Sequence, residues 1–177
     1  MIPLASIPTL HTERLTLRGP TEADLDVFAA FYASERSSFV GGPLPREQAY
    51  RILMQEAGHW QLKGFGRFSL VEKDTGATVG IVGLWNPVGF PENELGWDLF
   101  DGASGKGYAT EAGAAVRAYA YSTLGWTTLI SMIADGNEAS VRVAKRLGAR
   151  PDGTFTHERF GPMEIWRHPA PKEASNE

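Results

Sequence analysis

The stretch that decides the fold is Ser104-Gly105-Lys106-Gly107-Tyr108-Ala109-Thr110-Glu111-Ala112. It follows an apolar run at 94–100 and opens a helical pattern, in which apolar residues recur every three or four positions. The backbone N–H groups of a first helical turn have no partner within the helix and carry partial positive charge. Glycines allow an anion to approach those groups closely. Strand, glycine turn and helix start together predict a phosphate cradle over residues 104–110.

Three known phosphate motifs can be compared with this loop. A Walker loop requires Ser or Thr directly after its lysine, but Lys106 is followed by Gly107. A dinucleotide fingerprint requires a third glycine, where this chain has Thr110. The coenzyme A loop, Gln/Arg-x-x-Gly-x-Gly/Ala, fits at both small positions and departs only at Ser104. The loop therefore favours coenzyme A among the three ligands.

With this loop and four further segments, the chain resembles the GNAT N-acetyltransferases. The likeness is greatest to the branch of ribosomal-protein N-terminal alanine and serine acetyltransferases, and it covers nearly the whole chain. The matching segments are Thr12–Arg18 (opening strand), Glu94–Trp97 (fourth strand), Gly105–Ala112 (coenzyme A loop), Asn137–Ser140 and Lys145–Ala149 (fourth helix). The resemblance implies acetyl-CoA as co-substrate and the transfer of its acetyl group to an amine.

Length and composition agree with a single domain. The chain has 177 residues, a formal net charge of −4 and no cysteine. We expect one domain at 1–168 and a frayed tail at 169–177. The lack of cysteine excludes disulfides, thiolate metal sites and a covalent cysteine intermediate, and no metal is expected. The negative charge argues against general nucleic-acid binding.

The location and assembly of the protein are less constrained. No apolar run approaches the ~20 residues that a membrane-spanning helix needs, so no membrane partner is expected. The first residues, Met1–Ala5, lack the charged and apolar regions of a signal peptide. Both observations agree with a cytoplasmic location. Exposed strand edges of the expected sheet would allow a homodimer.

Periodicity, turn residues and helix caps predict a mixed α/β (α+β) fold. It has about seven strands, mostly antiparallel, and about four helices. The resemblance adds a splay between the fourth and fifth strands. Strands are expected at 14–18, 66–72, 78–85, 94–100, 128–133, 154–160 and 162–167, and helices at 21–34, 45–63, 107–124 and 137–147.

The resemblance assigns the coenzyme contacts. The pantetheine arm would lie in the splayed gap and pair with the backbone of the fourth strand, at Trp97, Asp98 and Leu99. The pyrophosphate would rest on the N–H groups of residues 105–110. Ser104 stands where relatives carry a long Gln or Arg donor, so that donor is missing from the loop itself.

Two residues of the last predicted helix are candidates for the reacting end of the coenzyme. Asn137 and Ser140 are three positions apart and therefore share a helix face. The resemblance implies that Asn137 contacts the coenzyme arm and that Ser140 lies near its sulfur, where it would give a proton to the leaving thiolate. Other family members use a tyrosine at the position of Ala144. Both residues also suit a simple N-terminal cap.

The attacking amine needs a group that takes its proton. Glu94 is the preferred candidate, since the resemblance places it just before the acetyl site. Glu92 and Glu164 are the alternative carboxylates, and His59 and His157 are weaker candidates. The expected reaction is direct attack in a ternary complex; the alternative is a catalytically silent acyl-CoA-binding module.

The acceptor is expected to contact the first two helices, their connection and the closing hairpin. Candidate walls are Phe39, Val40, Trp60 and Phe90. The acceptor is either a small-molecule amine or a protein N-terminus, and the sequence leaves this open. A deep acidic pocket would favour a polyamine or aminoglycoside, whereas a shallow groove would favour a peptide terminus.

Overall fold

The computed structural model describes residues 6–171. Within them lie four α-helices and eight strands. The helices are α1 Leu25–Tyr32, α2 Arg46–Lys63, α3 Tyr108–Ser122 and α4 Glu138–Arg146. The strands are β1 Leu10–His11, β2 Leu15–Arg18, β3 Arg67–Glu72, β4 Thr78–Trp85, β5 Glu94–Leu99, β6 Ile130–Ala134, β7 Arg150–His157 and β8 Gly161–Arg167.

The strands form one mixed sheet in the order β1-β2-β3-β4-β5-β6-β8-β7. Every neighbouring pair is antiparallel except β5 and β6, which are connected through α3. These two parallel strands share a single ladder pair, Glu94 with Ile130, and then diverge. The expected splay is therefore confirmed, and it opens a gap between β5 and β6.

The structure corrects several predicted bounds. The sheet has an additional strand, β1, whose two residues are too few to give a periodic signal. The predicted helix at 21–34 begins as a 3-10 turn, Glu22–Asp24, and α1 ends at Tyr32. The closing hairpin begins at Arg150 instead of 154, because a shift in register between Pro151 and Thr154 accommodates its polar start.

The helices cover opposite faces of the sheet. Helices α1 and α2 pack against one face, where Phe28 and Leu53 meet Ile81 of β4. Helix α3 packs against the other face, where Val116 meets the adjacent Val82. Neighbouring strand residues point to opposite sides, so one strand contributes to both cores. Helix α4 covers the β6 and β8 end, on the α3 side.

Part of the expected tail lies within the described residues. The carbonyl of Pro169 accepts a hydrogen bond of 2.8 Å from the hydroxyl of Tyr121, and His168 is buried beside Ser131. Residues 172–177 lie outside the described part of the chain, so the 1–168 domain bound stays a prediction. Between residues 6 and 171, none of the helices has the length and apolar character needed to cross a membrane.

Candidate functional site

One edge of β5 faces the gap. The N–H of Ile130 donates to the carbonyl of Asn93 at 3.2 Å, and the hydroxyl of Ser131 donates to the carbonyl of Leu95 at 2.5 Å. Backbone groups of alternate strand residues point to the same side. Trp97 and Leu99 therefore also present their N–H and C=O groups to the gap.

Asp98 has a different orientation from the one expected of a backbone partner. The alternation of β5 turns its N–H and C=O toward β4, where it pairs with Ile81. Its carboxylate bonds Arg67 on the α1/α2 face of the sheet. Of the three positions expected to pair with the coenzyme arm, only Trp97 and Leu99 face the gap.

The 104–110 loop joins β5 to α3. Gly105 and Gly107 have φ of 80° and 83°, a left-handed conformation that residues with a Cβ rarely adopt. Gly107 is the N-cap of α3, so the free N–H groups of the first turn begin at Tyr108. Thr110 Oγ1, in that turn, is buried and is the single such side-chain atom in residues 6–171 without a hydrogen-bond partner. Free donors and an unsatisfied hydroxyl fit a phosphate group here.

An ion pair between Arg14 and Glu111 holds this loop on the β2 side, and it was not predicted from the sequence. Glu111 accepts the backbone N–H of Arg14 at 2.8 Å and its side-chain Nε at 2.7 Å. Arg14 Nη1 donates to the carbonyl of Lys106 at 2.8 Å. The loop carbonyl is thereby held on the β2 side. Arg14 and Glu111 both lie in segments that carried the family resemblance, which was the available signal.

The N-terminus of α4 forms one wall of the gap. Asn137 caps the helix, with Oδ1 accepting the N–H of Ser140 at 3.2 Å. The hydroxyl oxygen of Ser140 accepts the indole N–H of Trp97 at 3.2 Å, which links α4 to β5. Because that bond uses the oxygen, the hydroxyl hydrogen of Ser140 remains available to a ligand. Ala144 is fully buried beneath this turn.

A cleft with a volume of about 320 Å³ passes through the gap. Tyr32 and Glu56 line it on the α1/α2 face, and Asn137 and Ser140 line it on the α4 side. Side chains from both faces of the sheet therefore line one cleft. Glu94 also lines the cleft; by the alternation of β5 it shares the α1/α2 face with Asp98, and its carboxyl lies opposite Met132 across the gap.

Glu94 has the environment of a proton acceptor. Its Oε1 accepts the backbone N–H of Met132 at 3.0 Å, across the gap. Burial raises the pKa of Glu94 to about 7, although the Met132 N–H and the charge of Arg67 act in the opposite direction. A carboxyl with a pKa near neutrality can exchange a proton at physiological pH.

The alternative carboxylates lie outside the cleft. Glu92 bonds Arg167 through both oxygens, at 2.7 and 2.9 Å, and these hydrogen bonds lower the pKa of Glu92. Glu164 is exposed and accepts the indole N–H of Trp166 at 2.9 Å. The adjacent Met163 lines the cleft and Glu164 does not. Neighbouring strand residues point to opposite sides of a sheet, so the Glu164 carboxyl points away from the side chain of Met163.

The two histidines differ from one another. His59 is buried, stacks on Trp85 with ring centroids 4.3 Å apart, and bonds the carbonyl of Phe65 and the N–H of Asn86. It is a satisfied core group, and burial lowers its pKa. His157 lines the cleft, but its Nδ1 accepts backbone N–H groups of its own hairpin turn.

A buried ion cluster underlies the cleft, and sequence reasoning did not find it. Arg67 donates to both oxygens of Glu56 and, at 2.9 Å, to Asp98. Its guanidinium also lies 5.0 Å from the ring centre of Trp85. Burial raises the pKa of both Glu56 and Asp98, whereas the charge of Arg67 opposes this. The cluster places one cation between two carboxylates.

Aromatic side chains form much of the remaining wall. Phe39, Val40 and Phe90 line the cleft as expected. Trp60 does not, because it is buried in the core and donates to the carbonyl of Arg67 at 2.8 Å. The closing hairpin contributes Phe160, whose ring lies 4.7 Å from that of His157.

Comparisons with known proteins agree with this geometry. The family model described as "Acetyltransferase (GNAT) domain" matches residues 14–150, more than half of the chain. An acetyltransferase structure from Agrobacterium tumefaciens str. C58 has a TM-score of 0.84 and 36% identity, over 95% of this chain and 98% of that one. The uncharacterized N-acetyltransferase YoaA of Bacillus subtilis (strain 168) is 28% identical, over 84% of this chain and 86% of its own.

A more distant structure extends the likeness of the fold. RimL, the ribosomal L7/L12 alpha-N-protein acetyltransferase in complex with coenzyme A, has a TM-score of 0.72 at 12% identity. The match covers 91% of this chain and 97% of RimL. The family model, the Agrobacterium structure and the gap geometry lead to one assignment: the chain belongs to the GNAT family of acetyl-CoA-dependent N-acetyltransferases.

Proposed function

We propose that the protein transfers the acetyl group of acetyl-CoA to a primary amine, by direct attack in a ternary complex. The observation that carries the proposal is the position of Glu94. Its carboxyl lies in a cleft that is lined by residues from both faces of the sheet, next to the strand edge that leads to the phosphate loop. Amine and coenzyme can thus be bound at once, which direct transfer requires.

The residues of the chain have separate tasks in this proposal. The backbone of Trp97 and Leu99 and the N–H groups of the 105–110 loop hold the coenzyme. The bound coenzyme supplies an activated thioester. Glu94 takes the proton of the amine, since its pKa of about 7 leaves a large ionised fraction at neutral pH. Ser140 offers its free hydroxyl hydrogen to the leaving thiolate, which becomes the thiol of coenzyme A.

The charge of the cleft narrows the acceptor. Two cations, Arg67 and Arg159, line the cleft with three carboxylates, Glu56, Glu94 and Asp98, so its formal net charge is −1, which is small against the charge of a polycation. Aromatic side chains, among them Phe39, Phe90 and Phe160, form part of the walls. We therefore propose a monoamine on a small or apolar body, with a peptide N-terminus included because RimL is named for a protein terminus. Polyamines and aminoglycosides are disfavoured; no nucleic-acid or membrane partner is proposed, and a homodimer remains a proposal.

The alternative is a catalytically silent acyl-CoA-binding module of the same fold. Ser104 and Ala144 favour it, because each replaces a side chain that relatives use. One experiment separates the two: calorimetric titration with acetyl-CoA and CoA, followed by thiol release over a panel of amines. The panel includes Ala- and Ser-started peptides, phenethylamine, spermidine and kanamycin.

Four outcomes are distinguishable. Binding with thiol release on a monoamine supports the proposed enzyme, and release on spermidine or kanamycin alone contradicts the acceptor class. Binding without release on any amine favours the silent module. Absence of binding to either coenzyme overturns the function itself.

A further inference from the structure

Arg36 reaches the start of the phosphate loop from a distant part of the chain. It lies on the 3-10 turn Glu35–Val40, which follows α1. Its Nη2 donates to the hydroxyl of Ser104 at 2.7 Å and to the carbonyls of Leu99 and Phe100 at 2.9 and 3.3 Å. The guanidinium is therefore fixed at the junction of β5 and the loop.

This junction is where the gap meets the phosphate cradle. The carbonyl of Leu99 belongs to the edge of β5 that faces the gap, at the last residue of the strand. A coenzyme arm that follows this edge would pass the guanidinium of Arg36 before its phosphates reach residues 105–110. Arg36 thus lies at the entrance of the phosphate cradle, beside Ser104, where the pyrophosphate would follow the arm into the loop.

The positive charge of Arg36 is weakly compensated. Its ion pair in the described chain is with Asp101 at 3.6 Å, and that carboxylate is 95% exposed. Such a pair contributes little. The side chain of Arg36 is itself 37% exposed, and its Nε and Nη1 make no hydrogen bond within residues 6–171. Donors therefore remain for an anionic ligand.

The two other cations near the loop, Arg14 and Lys106, have carboxylate partners close by. Arg14 is paired with Glu111 and holds the back of the loop through the Lys106 carbonyl. The Lys106 ammonium lies 3.8 Å from Glu72. Of the three cations, Arg36 lies at the gap end, and its uncommitted Nε and Nη1 can each donate one hydrogen bond to a phosphate oxygen.

We propose that Arg36 binds the coenzyme pyrophosphate and supplies, from the α1–α2 connection, the long donor that the loop lacks at Ser104. The inference rests on the proposed coenzyme site. Ser104 is then an anchor that orients Arg36, and the short side chain leaves room for it. Because Arg36 belongs to the connection beside the acceptor cleft, coenzyme binding would also fix that segment.

The test measures affinity for coenzyme A and for pantetheine, the fragment without phosphates, by calorimetry or NMR titration. Arg36→Gln retains donors for the strand carbonyls but removes the charge. We expect it to weaken coenzyme A binding about 10- to 100-fold and to leave pantetheine binding unchanged. It should also flatten the salt dependence of coenzyme A binding. Arg51→Ala, which breaks a surface pair with Glu47 on α2, is the matched control and should behave as wild type.

A second variant separates charge from structure. Adding Ser104→Arg to Arg36→Gln should restore most of the lost coenzyme A affinity, since the charge returns to the loop itself. Equal weakening of both ligands, or wild-type coenzyme A affinity in Arg36→Gln, overturns the inference. Failure of the wild-type protein to bind coenzyme A overturns the proposed function instead. Thermal melts confirm that each variant is folded.

Discussion

The two ends of the β5/β6 gap are built from different parts of the polypeptide. At the loop end, the groups that face a ligand are mostly backbone N–H groups, held by the left-handed Gly105 and Gly107. At the cleft end they are side chains, among them Glu94 and the Glu56–Arg67–Asp98 cluster. The loop end should therefore be sensitive to added Cβ atoms, and the cleft end to changes of charge.

The largest effect is expected at the loop end. Gly107→Val forces a branched side chain into a φ of 83°, where the nearest atom to a new Cβ is Arg14 Nη2 at 3.4 Å. The first turn of α3 would shift, and coenzyme A affinity should fall at least ~100-fold, the cost of several lost N–H bonds to a charged group. Calorimetry with coenzyme A measures this.

Gly125→Val provides the matched control. Gly125 has a φ of 71° and nothing within 4 Å of a new Cβ, and it lies in the turn after α3. It should lose stability through the same backbone strain but retain coenzyme affinity. If both variants bind coenzyme A alike, the loop end does not work through its backbone.

The difference between the two ends also determines what the sequence could predict. The loop is contiguous, so its glycines and the start of α3 were predicted to within one residue. The cleft depends on contacts between distant residues: Arg67 and Asp98 are 31 positions apart, and Arg36 and Ser104 are 68 apart. Periodicity reports which face is buried but not which side chains meet across elements.

The burial of Glu94, which raises its pKa, could not be predicted from residue type either. Glu94 was preferred as the base because of the family resemblance, and nothing in its neighbours along the chain indicates a pKa near 7. That value reflects the partial burial of the carboxyl in the gap, where it lies opposite Met132. The roles of Glu94 and Ser140 stay predictions.

The next largest effect is expected from Glu94→Gln at the cleft end. Gln keeps an acceptor for the Met132 N–H but cannot take a proton. We expect turnover to fall about 100-fold or more above pH 7, the usual contribution of a general base. The rise of the wild-type rate through pH 7 should disappear. The pH profile of kcat/KM checks both.

Glu164→Gln is the matched control, since that carboxyl is exposed on the other face of the sheet, and it should leave the profile unchanged. A pH profile of Glu94→Gln that parallels the wild type would show that Glu94 only joins β5 to β6. If the rise of the rate through pH 7 were lost in Glu164→Gln instead, Glu164 would be the general base.

Glu94→Gln should also change the free energy of unfolding. The pKa of Glu94 is raised on folding, so its protonated form favours the native state at low pH, and this contribution is lost as pH rises through about 7. At pH 8 the ionised carboxyl therefore destabilises the fold. Glu94→Gln should raise the free energy of unfolding at pH 8 by about 2 kcal/mol and change it little at pH 4. Urea denaturation at the two pH values measures this, and equal effects at both would contradict it.

Arg67→Gln tests the compensated cluster. It leaves Glu56 and Asp98 buried without their cation, which should cost about 3 kcal/mol of unfolding free energy at pH 8. Because burial already raises the pKa of both carboxyls, they protonate readily without Arg67, and the loss should be smaller at pH 5. Urea melts at both pH values check this.

The same variant probes the acceptor. At pH 8, where the carboxyls are more ionised, loss of Arg67 makes the cleft more acidic, so thiol release with spermidine should increase relative to that with phenethylamine. Arg46→Gln, which breaks an exposed pair with Asp26, should change neither stability nor preference measurably. A destabilisation of Arg67→Gln that does not depend on pH would mean that packing, not charge, is what Arg67 supplies.

The smallest effect is expected at Ser140, which lines the cleft on the α4 side. Ser140→Ala removes the hydroxyl hydrogen and leaves the Trp97 indole without its acceptor. We expect kcat to fall about tenfold, near the lower end of proton-transfer contributions because water can replace the hydroxyl, with coenzyme A affinity changed less than threefold. Ser122→Ala on α3, whose hydroxyl bonds its own helix at Ala118, is the control. If affinity falls while kcat is retained, Ser140 belongs to coenzyme binding, and the proton for the leaving thiol comes from elsewhere.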